Sequence, residues 1–582
     1  MSFDGLVMAA VKNELSEKIS GGRIEKIYQP LPAEIVLVIN KERNKFRLVV
    51  SAHARDARIH LTRTTRENPL TPPLFCMVLR KHLDGGRITN IVQNGLERVL
   101  DIGVEAIDEL GMLSEKRLLC EVMGKHSNVV LVDPATNNIL DGINRFSYGT
   151  SRHREILPGR TYTPPPETGK LNPPETTEEQ FRDALWDPEQ DIPIDRLLLN
   201  KFAGFSPQTC REITFRAGLY PDSSNQSLGE LELQRLWETF ETINECIRTG
   251  SFQPTICYKG PIPTAFSAVK LEQFNCGDTE STSMNEVLDE FFSVTEKQQR
   301  FKRAAAELAK VVNTEKKKSR KKKAIHEETL RKAENAEQLK ITGELITANI
   351  YQLSKGVHSV ELTNYYDPQA TTMTVELDPQ LSPAENAQSY FKRYTKARNS
   401  FSIAAKYLAE AESELDYLES VLVSLEQAEQ DHDLREIRFE LVKEGYIAPT
   451  KITKGTRKPE PDSEPAPMVF RTNEGFEIFV GRNNRQNDYL TMKLAKPDDM
   501  WLHVKDIPGS HVIIRNPQGR DIPEPTLQTA AEAAAYYSRA RESSKVAVDH
   551  TLRKFVRKPK GAKPGMVIYE HFKSVYVEPK GP

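Results

Sequence analysis

The residue types best suited to recognising another molecule crowd into one stretch near the C-terminus. It reads Gly481-Arg482-Asn483-Asn484-Arg485-Gln486-Asn487-Asp488, then Asp498-Asp499-Met500-Trp501-Leu502-His503-Val504-Lys505-Asp506-Ile507-Pro508-Gly509-Ser510-His511. Amides hydrogen-bond base edges or backbone, arginine pairs phosphate, and Trp or His offers a stacking face. Such groups are costly to bury and seldom needed to hold a fold. The stretch therefore reads as a surface that grips RNA, and a polar turn followed by a proline-glycine hairpin is the plainer alternative.

Two basic runs add to that reading. One is Lys316, Lys317, Lys318, Arg320, Lys321, Lys322 and Lys323; the other lies between Arg553 and Lys563, with aromatic residues interleaved. Like charges this close repel one another, and an acidic partner such as RNA would relieve the strain, although a solvated helix face is the usual fate of a charge run. Catalytic and metal signatures are missing. There is no Walker A loop, G-x-G-x-x-G, H-E-x-x-H or G-x-S-x-G, and the Cys/His pattern offers no metal site. Paired carboxylates on the helices read as ion pairs. The expectation is an RNA-binding protein with no active site, cofactor or metal of its own.

The elements that must position these groups follow from periodicity. Leu6, Val7, Ala10, Val11 and Leu15 form a helical stripe, and IEKIYQP, EIVLVIN, FRLVVSA, RITNIVQ, ERVLDIGV, KRLLCEVM and SNVVLVD read as strands. Pro72-Pro73 opens a helix, LFCMVLRKHL, and a proline-rich break, TYTPPPETGKLNPPETT, follows the strands. Beyond it, Ala203-Gly204-Phe205-Ser206-Pro207 joins two short helices in a helix-hairpin-helix-like pattern, with Ser206 placed to cap a helix opened by Pro207. Ala404, Leu408, Ala411, Leu415, Leu418, Leu422 and Leu425 make a heptad stripe, and Phe301, Ala305, Leu308 and Val312 begin its counterpart. Two arms in one chain, bracketing an insert with Pro368, Pro379 and Pro383, should fold back as an antiparallel hairpin. TKITKGTRKPEPDSEPAP reads as a linker, HVIIR and SVYVE as strands, and LQTAAEAAAYYSRAR as a helix.

Composition sets the outer limits. The chain has 582 residues and a formal net charge of -2, so nucleic-acid contact must come from local patches. Charged residues make up 28%, which suits long solvated helices. The opening reads as an amphipathic helix and not a signal peptide, and no apolar run is long enough to span a bilayer. Cys76, Cys120, Cys210, Cys246, Cys257 and Cys276 are scattered, which argues against a disulfide framework and fits a reducing cytosol.

Taken in order, the motifs resemble the NFACT family, in its bacterial ribosome-quality-control branch. The resemblance rests on MSFDG, GGRIEKIYQP, PPLFCMVLRKHLDGG, EVMGKHSNVVLVD, GFSP, GELITANIY, LDPQLSPAENAQSYFKRYTKA and GRNNRQND…WLHVKDIPGSH. It implies a multi-domain α+β protein. Residues 1–173 would be a mixed α/β NFACT-N domain and 174–283 a helix-hairpin-helix region. Residues 284–440 would be a long antiparallel coiled coil with an insert, and 441–582 a linker and an α+β NFACT-R RNA-binding domain.

The function implied is rescue of a split large (50S) subunit carrying obstructed peptidyl-tRNA. Alanyl-tRNA is recruited, and alanines are added to the nascent chain without mRNA, marking it for degradation. The ribosomal peptidyl-transferase centre would form the bonds, so no catalytic residue is expected. Implied partners are 23S rRNA, a stalk-base protein and a small RNA-binding auxiliary factor, with no membrane, at a cytoplasmic, ribosome-associated location. The resemblance assigns tRNA binding to Glu97 and Arg98, where the family carries Asp-Arg, together with Asp4, Lys125 and His126. The residue types and charge runs described above assign RNA or ribosome binding to Arg482, Asn483, Asn484, Gln486, Asn487, Asp488, Trp501, His503, Lys505, Ser510 and His511 and to the run 316–323.

Two rivals are weaker. A glycosylase of the kind that uses an N-terminal proline amine has no nucleophile here, since position 2 is Ser2. A fibronectin-binding adhesin, a label the family has carried, lacks an export signal and a wall-anchoring motif in this sequence.

Overall fold

Asp4 starts the first helix: its Oδ1 accepts from the Val7 amide at 3.0 Å and caps α1 (Gly5–Ile19), which buries Leu6, Val7, Val11, Leu15 and Ile19. The computed structural model describes residues 3–581 apart from 109–110, 150–152, 167–168, 187–190, 221, 275–280, 334 and 450–464. The linker expected at TKITKGTRKPEPDSEPAP thus falls largely outside the described residues. The chain forms two units, Met1–Gln299 and Arg300–Pro582.

In the first unit, α1 and α2 (Leu74–Leu83) pack on an antiparallel sheet. Its strands are β1 (Arg23–Leu31), β2 (Glu34–Lys41), β3 (Asn44–Ser51), β4 (Arg58–Leu61), β5 (Arg87–Gln93), β6 (Val99–Ile107), β7 (Leu113–Glu121), β8 (Asn128–Asp133) and β9 (Asn138–Gly142). They lie in the order β4-β3-β2-β1-β5-β6-β7-β8-β9, two meanders joined through β1 and β5. The short strands β4 and β9 are not evident in the sequence pattern. α3 (Glu178–Leu185), α4 (Ile194–Lys201), α5 (Pro207–Arg216) and α6 (Glu230–Thr249) follow, then a hairpin of β10 (Thr255–Lys259) and β11 (Ile262–Ser267). Phe181, Phe202 and Phe240 cluster with centroids 4.6 to 5.5 Å apart and weld α3, α4 and α6 together. Cys76, Cys120, Cys210 and Cys246 are free, but Cys257 is disulfide-bonded, which corrects the expectation of a fully reduced set.

The long helix α7 (Met284–Ala333) has 50 residues, and the 45-residue α9 (Pro383–Gln427) faces it in the second unit. Lys316 pairs Glu419, Lys322 pairs Glu414 and Lys323 pairs Glu412, so one arm rises in number as the other falls. That is antiparallel pairing. Leu308 and Val312 share a buried cluster with Leu418 and Leu425 of the expected stripe and with Tyr417 and Val421, which lie beside it. The insert holds α8 (Ala336–Ala348), β12 (Ser359–Thr363) and β13 (Thr372–Glu376), and α9 begins with a capping box at Ser382 and Glu385. α10 (Asp431–Lys443) closes the helical part.

The C-terminal part is a second sheet. Its strands are β14 (Met468–Arg471), β15 (Glu477–Val480), β16 (Met500–Val504), β17 (Val512–Ile514), β18 (Val546–Leu552) and the last strand, Lys573–Val577. α12 (Glu524–Tyr536) lies on it and buries Ala530, Ala531, Ala533, Ala534 and Ala535, small side chains that let helix and sheet approach closely. Between β15 and β16 sits α11 (Asn484–Tyr489). Among the described residues, no helix is long and apolar enough to cross a membrane.

Candidate nucleic-acid interface

Glu97 and Arg98 sit where the chain leaves a turn and enters β6. Gln93 Nε2 donates to the Glu97 carbonyl at 2.8 Å, and the Val122 amide donates to the Arg98 carbonyl at 2.8 Å, so the backbone of the pair is fixed from both sides. The end of β7 thereby brings the turn Gly124–His126 beside them, with Lys125 and His126 exposed. Behind the pair, two glycines permit a close backbone crossing. The Gly5 amide donates to the Gly204 carbonyl at 2.6 Å, and a Cβ on Gly5 would lie 2.0 Å from the Leu96 carbonyl oxygen. Gly204 has φ +76, and a Cβ there would meet Leu96 at 2.4 Å. Asp4-Gly5 and the GFSP motif, about two hundred residues apart in sequence, therefore meet beneath Leu96-Glu97-Arg98.

A cavity of about 300 Å³ opens at this junction, lined by Glu97, Arg98, Met123, Pro165, Lys170 and the Gly204–Pro207 turn. A carboxylate, a guanidinium and an ammonium beside apolar walls can take a base edge and a phosphate together. Asp4 lines the same cavity, but both of its oxygens are occupied. Oδ1 caps α1, and Oδ2 accepts from the Ser206 hydroxyl at 2.7 Å and the Thr209 hydroxyl at 2.6 Å. Its expected contact with tRNA is corrected: Asp4 is a buried joint between α1 and α5. Lys170 and Met123 are missing from the expected set because only tertiary packing brings them to the cavity, although Met123 lies within the EVMGKHSNVVLVD motif.

The amide-rich block departs further from expectation. Asn483, Asn484, Gln486, Asn487, Ser510 and His511 are buried, and Trp501 is fully buried. They form an internal joint rather than an open surface. Asn483 Nδ2 and Gln486 Nε2 donate to Glu436 Oε2 at 2.8 and 2.6 Å, and Asn484 Nδ2 donates to Glu440 Oε1 at 3.1 Å and to Ser420 Oγ at 2.9 Å. Arg482 forms an ion pair with Asp433 at 3.1 Å. The first turn of α11 is thus plugged into α9 and α10. Asn487 Oδ1 accepts from the His511 amide at 3.0 Å, and Thr491 Oγ1 meets His511 Nδ1 at 2.7 Å. Trp501 packs against Tyr569, His511 and His503 with centroids 4.8, 5.3 and 5.7 Å apart. Burial holds His503 down to about 4 and His511 well below the usual imidazole range, so both are neutral.

Burial pushes Glu440 up to about 7, against the Tyr417 hydroxyl and Asn484 amide that donate to it. The amides are costly to bury, as expected, but their cost is met by carboxylates and backbone groups of the same unit. Asp488 is tied to the Lys558 ammonium and the Gly565 amide, and of this set Lys505 is exposed, its ammonium 5.5 Å from the Phe572 ring. The partners missed in the sequence are Asp433, Glu436 and Glu440. Their i, i+3, i+7 spacing among the buried Leu434, Ile437 and Leu441 was the available signal.

The run 316–323 is likewise supplied with counter-charges. Lys316, Arg320, Lys322 and Lys323 reach Glu419, Glu414 and Glu412 of α9, and Lys318 reaches Glu315 on its own helix at 2.8 Å. Lys317 and Lys321 are exposed. The argument that this run needs an acidic partner is corrected, because the opposite arm provides one. Among the described residues no cluster of His, Cys, Asp or Glu could hold a metal ion.

Comparison with known proteins now adds to this geometry. Residues 4–460 match the family model for the NFACT N-terminal and middle domains, and residues 467–570 match the NFACT protein RNA binding domain. The chain is 38% identical to the Rqc2 homologue RqcH of Bacillus subtilis, with 100% of this chain and 98% of that protein covered. It is 36% identical to the Rqc2 homologue RqcH of Streptococcus suis, again over 100% of this chain and 98% of the relative. The solved N-terminal part of the fibronectin/fibrinogen-binding protein of Streptococcus suis matches with 32% identity and a TM-score of 0.43, over 50% of this chain and 99% of that one.

Proposed function

The chain belongs to the NFACT family, in its ribosome-quality-control branch, and from that premise we propose that it binds the split large subunit carrying obstructed peptidyl-tRNA and recruits alanyl-tRNA for alanine tailing. The carrying observation is end-to-end similarity to RqcH proteins across both family domains. The cavity beside Glu97 and Arg98 supports it with a mixed-charge recess on a rigid frame. In each cycle the ester of peptidyl-tRNA is broken and an amide is made to the amino group of alanyl-tRNA, with the peptidyl-transferase centre as catalyst. This chain's part is to hold and orient. Glu97 accepts donors of a base or ribose, Arg98 forks onto phosphate, and Lys125 and His126 extend the contact. Contacts to 23S rRNA, a stalk-base protein and a small auxiliary factor belong to the same proposal, as does a ribosome-associated location.

The test is the double variant Glu97→Ala, Arg98→Ala. Tailing, read by mass spectrometry of stalled peptides, should be abolished, while co-sedimentation with large subunits stays nearly intact. Glu97→Asp should keep activity. Normal tailing by the double variant would overturn the assignment.

A further inference from the structure

A groove of about 340 Å³ lies on the seam between α10 and α11, within the range of small-ligand sites, ~300–1,000 Å³. One wall comes from α10, with Phe439 and Lys443, and the other from Arg485, Met492 and Lys493. The Arg485 guanidinium lies 4.8 Å from the Phe439 ring centroid, and Phe439 remains 45% exposed. Lys443 and Lys493, one from each wall, are exposed. Of the carboxylates lining the groove, Asp488 pairs with Lys558 and Glu444 with Lys563 at 2.8 Å, while Glu440 accepts from the Tyr417 hydroxyl and the Asn484 amide.

We propose that this groove binds single-stranded RNA, with one base stacked on the Phe439–Arg485 pair and flanking phosphates held by Lys443 and Lys493. A half-exposed aromatic ring partnered by a guanidinium, with cations to either side, matches the demands of a nucleotide. A flat π surface takes any base, and the lysines sit where the backbone must leave the groove. An acidic peptide would use the cations but not the stacking plane. The site is composite. Phe439 and Lys443 lie outside the matched RNA-binding domain, which begins at residue 467. The buried amide joint at Glu436 and Glu440 fixes the two walls in register. That gives the joint a functional consequence: it builds the groove. The inference rests on the RNA-binding reading of the C-terminal domain and is independent of tRNA selection at Glu97 and Arg98.

The experiment uses full-length protein and a short fluorescent single-stranded RNA, read by anisotropy across a salt series. Lys443→Gln with Lys493→Gln should weaken binding roughly tenfold and lower the slope of log affinity against log salt by about 1.4, at ~0.7 per phosphate contact. Phe439→Ala should weaken binding on the order of tenfold with little change in slope, and Phe439→Tyr should retain it. Thermal melting confirms that the variants are folded; both lysines are exposed, so their replacement spares the core. The tailing assignment is read separately, by mass spectrometry of the Glu97→Ala, Arg98→Ala variant, so failure of the groove and failure of that assignment show in different assays. Unchanged affinity and slope in the lysine variant would overturn the proposal. So would an acidic peptide that binds in a Lys443- and Lys493-dependent way where RNA does not.

Discussion

Two regions carry residues of the same chemical kind and use them in opposite ways. Around Glu97 and Arg98 a few polar groups stand at a cavity, and the structural work is done behind them by Gly5, Gly204 and Asp4. Between Gly481 and His511 the polar groups are many, and they are themselves the structural work, turned inward onto Glu436 and Glu440. Polarity alone therefore does not mark a contact surface. What separates the two cases is where the groups stand: Glu97 and Arg98 line a cavity, whereas the amides are buried against carboxylates of the same unit. Within one helical turn, Asn484 and Gln486 point into the joint, while the Arg485 guanidinium lies over a half-exposed ring in the groove.

The most damaging way to break the first region is to fill its glycine crossing. Gly204→Ala places a Cβ 2.4 Å from Leu96 on a backbone with φ +76. Overpacking and left-handed strain together should cost about 3 kcal/mol or more. Thermal melting should show the loss, and tailing should fail with it. A variant that melts like the wild type would mean that Leu96 and its turn can move aside, and that the frame behind Glu97 is soft.

The matching break in the second region is Gln486→Ala. It removes the 2.6 Å donor to the buried Glu436 carboxylate and should cost ~2–3 kcal/mol, because a buried acceptor loses a charge-assisted bond. Limited proteolysis should then cut the C-terminal part more readily. By contrast, Glu97→Ala with Arg98→Ala, at half-buried positions lining the cavity, should cost less, about 1 kcal/mol. If the two variants lose equal stability, the contrast between working surface and internal joint disappears.

Much of the architecture is legible from local rules. The stripe from Leu6 to Leu15, the Ser206–Pro207 helix start and the Leu418–Leu425 heptads announce themselves because each depends on neighbours a turn or less away. β4 and β9 do not, since strands of four and five residues carry too few alternations to register. The amide joint is illegible for another reason. Asn483 finds its carboxylate 47 residues earlier, on a helix whose acids look like ordinary surface charge until Leu434, Ile437 and Leu441 are seen to flank them. The cavity at Glu97 is half legible: the pair stands out through its family resemblance, whereas Lys170 and Met123 reach it only through tertiary packing.

Glu440 sharpens the comparison through pH. Its carboxyl is raised from 4.5 to about 7, so the folded chain holds a proton there that the unfolded chain has released. The associated stability is present in full below the unfolded value and is lost as pH rises through about 7. Glu440→Gln stays neutral at every pH and can still accept from Tyr417 and Asn484. The melting-temperature difference between variant and wild type should therefore move in the variant's favour as pH rises from about 5 to about 8. His503, held low at about 4, titrates in both proteins and drops out of the difference. A flat difference would mean that Glu440 titrates as an ordinary carboxyl and that the joint is open to water.

The smallest effect is expected on the coiled coil. If the run 316–323 is occupied by α9, then Lys317→Gln with Lys321→Gln removes two exposed ammoniums that stand outside the ion pairs and little else. Affinity for large subunits should fall less than about threefold, and the salt slope by less than about one unit. The opposite substitution is more telling. Glu412→Gln with Glu419→Gln strips counter-charges from Lys316, Arg320 and Lys323, and Arg539 also loses its contact with Glu419 at 2.9 Å. Non-specific RNA binding should then rise and its salt slope steepen, because cations once satisfied within the chain become available to phosphate. A slope that instead falls by about two units in the Lys317, Lys321 variant would return this run to the RNA-binding face and place it with Glu97 and Arg98, on the outward-working side of the comparison.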